Sequence, residues 1–346
     1  MINHSRPTIT ERDITSVKQI LRSGYLRNGP VCKKFEMSFS RFIGVRQGAT
    51  TASGTAALHL ALLALNIGPK DEVVIPSFVC TAVLNAVNYT GATAKLADIE
   101  LEDFNLSLAD VKKKLSRRTK AIILPHMFGK PAEIRNFLKL GIPVIENCAQ
   151  SVGAKAGGKR TGSFGALSAF SFYATKMLTT GYGGMVCSNN SLYMRKINDL
   201  LDFDEREGYK VRYNYRMSDV SAALGLSQLK RLNAFIAKRK RLAGIYEEKL
   251  FKSKKIILPS DKNHIYFRYV IRIRGDIKKV IKKLVRKGIE AKRPVFKPLH
   301  QYVGLKKSDF PNTEAAYKSA ISLPIYPTLN EEQVKFIAEA TIEAVE

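Results

Sequence analysis

Phe170-Ser-Phe-Tyr-Ala-Thr-Lys176-Met-Leu-Thr-Thr-Gly-Tyr-Gly-Gly184 runs from a strand-like segment through a lysine into a glycine-rich turn. The run Ser168–Phe172 predicts the strand. A lysine just beyond a strand, among hydroxyl side chains, suits a Schiff base with an aldehyde cofactor. Its amine must be desolvated enough to lose its proton, and the glycines let backbone pass close to a ligand. Ser171, five residues before Lys176, is spaced to bond a phosphate oxygen. Alone, the same residues also describe a surface lysine in a turn, so the rest of the chain has to decide.

Three other segments supply that context. Ala52-Ser-Gly-Thr-Ala-Ala-Leu58 precedes a helical pattern, so Ser53, Gly54 and Thr55 can offer amides and a hydroxyl to a phosphate at its N-terminus. A plain N-cap explains Ser53 equally well but not the glycine. Val144-Ile-Glu-Asn-Cys-Ala-Gln150 closes the strand before Lys176, and Arg212-Tyr-Asn-Tyr-Arg-Met-Ser-Asp219 opens a long helical pattern.

Further out, short β-branched runs alternate with helical patterns over the first 250 residues, which predicts βα units and a mostly parallel sheet. Expected strands are Glu72–Ile75, Ala94–Ala97, Ala121–Leu124, Val144–Glu146, Ser168–Phe172 and Met185–Ser188. Expected helices include Thr55–Leu65, Leu108–Leu115, Glu133–Leu138 and one long helix from Ser218 to Leu250, with Ser218 and Ser221 at its N-cap. A β-α-β-α tail follows: Tyr266–Ile273, a basic helix near Asp276–Lys287, Ile289–Pro294, and helices near Glu314–Ala320 and Glu331–Val345. We expect two domains, 1–235 and 236–346, with the boundary inside the long helix, because no Gly/Pro/Ser linker precedes it.

The 346 residues are 45% hydrophobic and 25% charged, which excludes disorder and allows a substantial core. The longest apolar stretch, Ala56 to Leu65, is too short to span a bilayer, and the N-terminus has no apolar signal core, so a cytoplasmic location is expected. Cys32, Cys80, Cys148 and Cys187 are dispersed, as are the five histidines, and we expect no metal site. Gly153-Ala-Lys-Ala-Gly-Gly158-Lys159 has the spacing of a phosphate-binding loop, but Arg160 stands where Ser or Thr should hold magnesium and no helix pattern follows. The net charge is +27, and 23 Lys/Arg against 5 Asp/Glu fall between Lys230 and Lys297. That excess suits either an anion-binding surface or solvated helix faces; Ile277, Val280, Ile281, Leu284 and Val285 interleaved with lysines favour an amphipathic helix with its charge in water.

The chain resembles the nucleotide-sugar aminotransferases of the DegT/StrS type, pyridoxal-phosphate (PLP) enzymes of the aspartate-aminotransferase fold. The likeness follows the chain in order. It starts with Gly24-Tyr-Leu-Arg-Asn-Gly-Pro30, Ser53-Gly-Thr-Ala-Ala-Leu58 and Gly68-Pro-Lys-Asp-Glu-Val-Val-Ile-Pro-Ser-Phe78. It continues through Thr119-Lys-Ala-Ile-Ile-Leu-Pro-His-Met-Phe-Gly129 and the segments above to Pro298-Leu-His300 and Ser322-Leu-Pro-Ile-Tyr326. The resemblance implies fold type I: a large α/β domain with a mostly parallel central sheet flanked by helices, plus a smaller C-terminal α/β domain. It implies Lys176 as the residue of the internal aldimine and the proton shuttle. Ser53, Gly54, Thr55, Ala56 and Ser171 would hold the phosphate, with Asn214 or Arg216 reaching in from the second subunit of a homodimer. Gln150 would lie beside the cofactor's phenolic oxygen. Tyr25 in the Gly24–Pro30 loop, Tyr182, His300 and Tyr326 are candidates for substrate contact.

Three positions depart from that pattern. Asn147 stands where the family has the aspartate that keeps the pyridine nitrogen protonated, and Glu146 cannot replace it, because adjacent strand residues face opposite ways. Cys80 stands where an aromatic ring often walls the cofactor, and Tyr182 replaces a glutamate. The expected reaction is transfer of an amino group from glutamate or glutamine to a keto group of a nucleotide-diphosphate deoxysugar, without specific nucleic-acid binding or membrane insertion. Two rivals are a PLP enzyme of altered outcome, elimination or racemisation, because of Asn147, and a PLP-binding regulator or nucleic-acid binder that uses the basic segment.

Overall fold

The computed structural model describes residues 1–259 and 263–346, so Asp261 and Lys262, both within the counts given above for the basic segment, lie outside it. The strands are β1 (Gln47–Thr51), β2 (Glu72–Pro76), β3 (Thr93–Ala97), β4 (Thr119–Pro125), β5 (Val144–Asn147), β6 (Lys155–Ala156), β7 (Lys159–Arg160), β8 (Leu167–Ser171), β9 (Gly184–Ser188), β10 (Ile256–Ile257), β11 (Tyr269–Ile273) and β12 (Ala320–Leu323). Seven of them form one sheet in the order β1-β9-β8-β5-β4-β2-β3. β8, β5, β4, β2 and β3 are mutually parallel, as the βα alternation predicts, and β9 runs antiparallel to both β1 and β8. The expected fold class is thus observed.

Register decides where a ligand can sit. Thr51 pairs with Gly184 and Gly184 pairs with Ser171, so the end of β1, the start of β9 and the end of β8 share one row at a single sheet edge. β5 ends at the same edge with Asn147. That edge, beyond the carboxyl ends of parallel strands, is where open α/β sheets bind ligands. The helix Gly54–Ala64 starts from this edge and buries nearly every side chain against the sheet, from Ala56 through Leu62.

The second sheet, β10-β11-β12, is antiparallel and has its own core, in which Tyr246, Tyr269, Ile321, Leu323 and Ile337 are buried. The basic helix spans Ile277–Arg286; it buries Ile277, Val280 and Leu284 and exposes Lys278, Lys279, Lys282 and Lys283. This is the amphipathic arrangement the sequence suggests. The loop that imitates a phosphate-binding motif is a hairpin between β6 and β7, turned by Gly157 and Gly158 at φ 53° and 82°.

Four expected boundaries differ. The single helix from Ser218 to Leu250 is two, Asp219–Leu229 and Leu232–Leu250. The break lets Arg231 pair with the buried Asp13, while the Gln228 amide also bonds Asp13 and Thr8 O. The strand expected over Tyr266–Ile273 begins at Tyr269, because Arg239 Nη1 takes the carbonyls of Tyr266 and Phe267, and Tyr266 has φ 51°. Ile289–Pro294 is no strand: it makes only single bridges, Ile2 to Ile289 and Lys292 to Ser322. The helix expected near Glu314–Ala320 is Pro311–Ser319, with Pro311 in its first turn and Ala320 already in β12.

Candidate active site

Ser53 is extended and caps its helix: its Oγ accepts from Ala56 N at 3.1 Å. That bond leaves the hydroxyl proton free. Among the described residues the Gly54 and Thr55 amides have no partner, as expected of first-turn amides, so two N–H groups and a hydroxyl share one helix end. A Cβ on Gly54 would lie 2.8 Å from Ser171 Cβ. A Cβ on Gly184 would lie 2.5 Å from Ser53 O. Two glycines thus bring three distant segments into contact and build an anion cradle. Gly54 and Gly184 are needed for closeness, not for turning.

Lys176 follows on the turn after β8. Its Nζ stands 4.9 Å from the centroid of the Phe267 ring. Burial, with a smaller contribution from the nearby Arg268 cation, lowers its pKa to about 8. A substantial fraction of neutral amine is therefore available near pH 8, as nucleophilic and proton-transfer chemistry requires. Cys80 caps the helix Thr81–Asn88, is exposed, and is close enough to Lys176 to act on it electrostatically.

Glu146 and Asn147 face opposite ways, as the strand period demands. The fully buried Glu146 carboxylate accepts from the amides of Gly162, Phe164 and Gly165, each at 2.8 Å, and from His126 Nε2 at 3.0 Å. Burial would raise its pKa, but the His126 bond and these amides hold it below the ordinary value. His126, Glu146 and Cys148 bring ligand atoms within 4.8 Å of one another. His126 Nδ1 accepts from Ala132 N, however, so Nε2 carries the proton given to Glu146, and the cluster is a hydrogen-bonded one. Asn147, buried, accepts from Ala149 N through Oδ1 at 3.2 Å, and among the described residues its NH2 has no partner. Gln150 accepts from Phe128 N at 2.8 Å, and among the described residues its NH2 likewise has none.

The other expected residues are more scattered. Asn214 and Arg216 line a separate cleft of ≈ 780 Å³ together with Arg27, Asn28 and Lys33. Arg216 bonds Leu201 O and Asn28 Oδ1 there. Tyr25 and Tyr182 are exposed, Tyr182 edge-on to Tyr173 at 5.3 Å. His300 is completely buried: its Nδ1 meets Ser77 Oγ at 2.7 Å and its Nε2 meets Glu314 Oε1 at 3.0 Å. Both ring nitrogens are thus engaged by protein partners. Tyr326 is buried in the smaller core. Ala56 is also buried, and the contact it makes with the cradle is the bond from its amide to Ser53 Oγ.

Sequence reading missed Phe267 and Arg268, which flank Lys176 from the edge of β11, and Asp219. The Asp219 carboxylate accepts from the amides of Gly29, Val31 and Cys32, fixing the end of the Gly24–Pro30 loop. No local signal marks these residues; they lie roughly 90 to 190 positions from what they touch.

The family model described as the DegT/DnrJ/EryC1/StrS aminotransferase family matches residues 7–341. The chain is 35% identical to a GDP-perosamine synthase of Escherichia coli O157:H7, over 98% of this chain and 97% of that one. It is 33% identical to a UDP-N-acetyl-3-dehydro-alpha-D-glucosamine 3-aminotransferase of Acidithiobacillus ferrooxidans, covering 94% and 91%. The PLP form of the putative sugar aminotransferase Spr1654 from Streptococcus pneumoniae superposes with a TM-score of 0.93 at 26% identity, covering 99% and 98%.

Proposed function

Since the chain belongs to the DegT/DnrJ/EryC1/StrS aminotransferase family, we propose that it moves an amino group from glutamate or glutamine to a keto group of a nucleotide-diphosphate deoxysugar. It is a sugar aminotransferase, and its cofactor is pyridoxal 5′-phosphate. The observation that supports the finer reading is the placement of Lys176, its Nζ 4.9 Å from the Phe267 ring, on the turn that follows Ser171 at the end of β8, where Gly54 and Ser171 meet.

The residues present fit the cofactor. The cradle is an N–H-rich helix end closed by a serine, the chemistry a phosphate needs. Pyridoxal phosphate, once bound, supplies an aldehyde that exchanges nitrogen with an amine and an electron sink beside the reacting carbon. Ser53, Gly54, Thr55 and Ser171 hold the phosphate, with Ala56 fixing the Ser53 rotamer through its amide. Lys176 would hold the cofactor through its aldehyde and, once its amine is released, would move a proton between the two carbons that exchange the nitrogen. The NH2 of Gln150, whose Oε1 is taken by Phe128 N, would be the donor for the phenolic oxygen. The NH2 of Asn147, whose Oδ1 is taken by Ala149 N, would be the donor for the ring nitrogen. Cys80 would offer a thin wall to the cofactor's face.

We read the active form as a homodimer in which Asn214 and Arg216 complete the partner's site. Their cleft is lined by the exposed Phe203, and Tyr25 and Leu26, which precede the lining residue Arg27, are exposed too, so that apolar surface suits a protein contact. The sheet β10-β11-β12 and its helices would form the 236–346 domain over the 1–235 cofactor domain, with Tyr25 and Tyr182 on the substrate side.

The test is to load the protein with pyridoxal phosphate, fix it with borohydride and locate the adduct by mass spectrometry. The loaded protein is then mixed with glutamate or glutamine, and the amine form with a panel of GDP-, UDP- and dTDP-linked keto sugars. Labelling of a lysine other than Lys176, or an amine form inert towards every keto sugar, would overturn the reading.

A further inference from the structure

We infer that the lysine-rich face of the helix Ile277–Arg286 is a docking surface for an anionic phospholipid layer. The helix has spent its apolar side, since Ile277, Val280 and Leu284 are buried in the core of the smaller sheet. The opposite side carries Lys278, Lys279, Lys282 and Arg286, all exposed. Residues three and four apart lie one above the other on a helix, so these cations form one stripe about 12 Å long.

The stripe has no countercharge. Among the described residues none of its four cations has a carboxylate within ion-pair distance, and the same holds for the exposed Lys252, Lys254 and Arg274. These three extend the surface. Lys255 O accepts from Arg274 N at 2.8 Å, which sets the loop 251–255 beside the turn that leads into the helix. Lys255 and Lys283 also reach one place, the last turn of the helix Glu331–Val345: Lys255 Nζ donates to Val345 O at 3.0 Å and Lys283 Nζ to Ala344 O at 3.1 Å. Loop and helix therefore belong to one surface. The acidic side chains at its margin are Asp276, which caps the helix through Lys278 N, Glu343, which pairs with Lys287, and the exposed Glu346. Unpaired like charges repel one another across this face, and an anionic layer removes that repulsion.

Two features select lipid headgroups among polyanions. The cations are mostly lysines, compact point charges that suit a diffuse layer of headgroups, whereas two-point recognition of single phosphates calls on arginine. Phe251 stands 81% exposed between the helix Leu232–Leu250 and Lys252, and Val285 is exposed beside Arg286. Apolar side chains held out among lysines match the boundary between headgroups and acyl chains, while a single phenylalanine is no platform for successive stacked bases. The docking is peripheral, because no helix among the described residues is long and apolar enough to cross a membrane.

The experiment sediments the loaded holoenzyme with vesicles of phosphatidylcholine alone and of phosphatidylcholine with about 30% phosphatidylglycerol, at about 50 and 300 mM salt. The visible absorbance of the loaded protein reports an intact cofactor site. Wild type should bind the anionic vesicles and not the neutral ones, and the higher salt should weaken that binding steeply. A variant with Lys278→Gln, Lys279→Gln, Lys282→Gln and Arg286→Gln should lose about a hundredfold or more in vesicle affinity, with absorbance retained. A control with Lys112→Gln, Lys113→Gln, Arg117→Gln and Lys120→Gln removes the same charge from exposed positions near the start of β4 and should keep most of the affinity. Equal losses in the two variants overturn the proposal, since net charge is then the cause. Wild-type binding that is absent, or indifferent to phosphatidylglycerol, also overturns it. Single-stranded RNA is titrated in parallel: loss of RNA binding in the helix variant, with vesicle binding retained, overturns the proposal in favour of a nucleic acid.

Discussion

Gly54 lies so close to Ser171 that a Cβ on the glycine would sit 2.8 Å from the serine Cβ and 3.3 Å from its Cα. Helix end and strand end meet with no room for a methyl group, which is the closeness the proposed phosphate site depends on.

Gly54→Ala should therefore push the helix end away from Ser171. Overpacking of this kind costs about 1–3 kcal/mol. We expect pyridoxal phosphate to bind roughly tenfold more weakly, measured by titrating its visible absorbance. Unchanged affinity would mean that the phosphate is held elsewhere.

The pH dependence of cofactor attachment follows from Lys176. Because its pKa is lowered to about 8, the nucleophilic amine increases as pH rises through that value. Borohydride trapping of the lysyl adduct at limiting cofactor should show a midpoint near there. Arg268→Gln removes a like charge and should move the midpoint upward. A wild-type midpoint at the ordinary lysine value would contradict the desolvated setting.

Asn147→Asp should put a carboxylate opposite the ring nitrogen and deepen the electron sink. The half-reaction with glutamate should speed up about ten- to thirtyfold, if roughly 1.4–2 kcal/mol of barrier is recovered. Single-turnover spectra of wild type and variant provide the comparison. No acceleration would show that Asn147 does not face that nitrogen.

Glu146→Gln should destabilise the fold by about 3 kcal/mol at neutral pH, since a buried acceptor of four hydrogen bonds loses its charge. The native carboxylate is held below its ordinary pKa of 4.5. Its contribution is thus present above about pH 4.5 and is lost as pH falls through the lower folded value. Urea unfolding at several pH values should show that acid-side decline in wild type and a flatter curve in the variant.

His300→Ala should act on stability, by about 3 kcal/mol, because the Glu314 carboxylate loses its imidazole partner in a buried site. Under conditions where the variant is folded, KM for the amino donor should stay within about twofold. A large rise in KM without destabilisation would assign His300 a contact with the substrate.

The sequence by itself determined the parallel sheet, the helix after Ser53, the lysine after β8 and the exposed face of the basic helix. Each of these depends on neighbours within a few residues, through strand alternation, helical periodicity or capping, and the partition of Glu146 from Asn147 follows from the same two-residue period. Only the tertiary structure decided which residues surround Lys176. Phe267 and Arg268 arrive from the edge of β11, nearly a hundred residues away, and nothing around them distinguishes that arginine from the other basic residues of the 230–297 segment. The same holds for Arg231, which breaks the expected long helix to reach Asp13, and for His300, whose ring is consumed by Ser77 and Glu314. Side-chain partners at that separation are set by how whole elements pack, and local pattern carries no record of it.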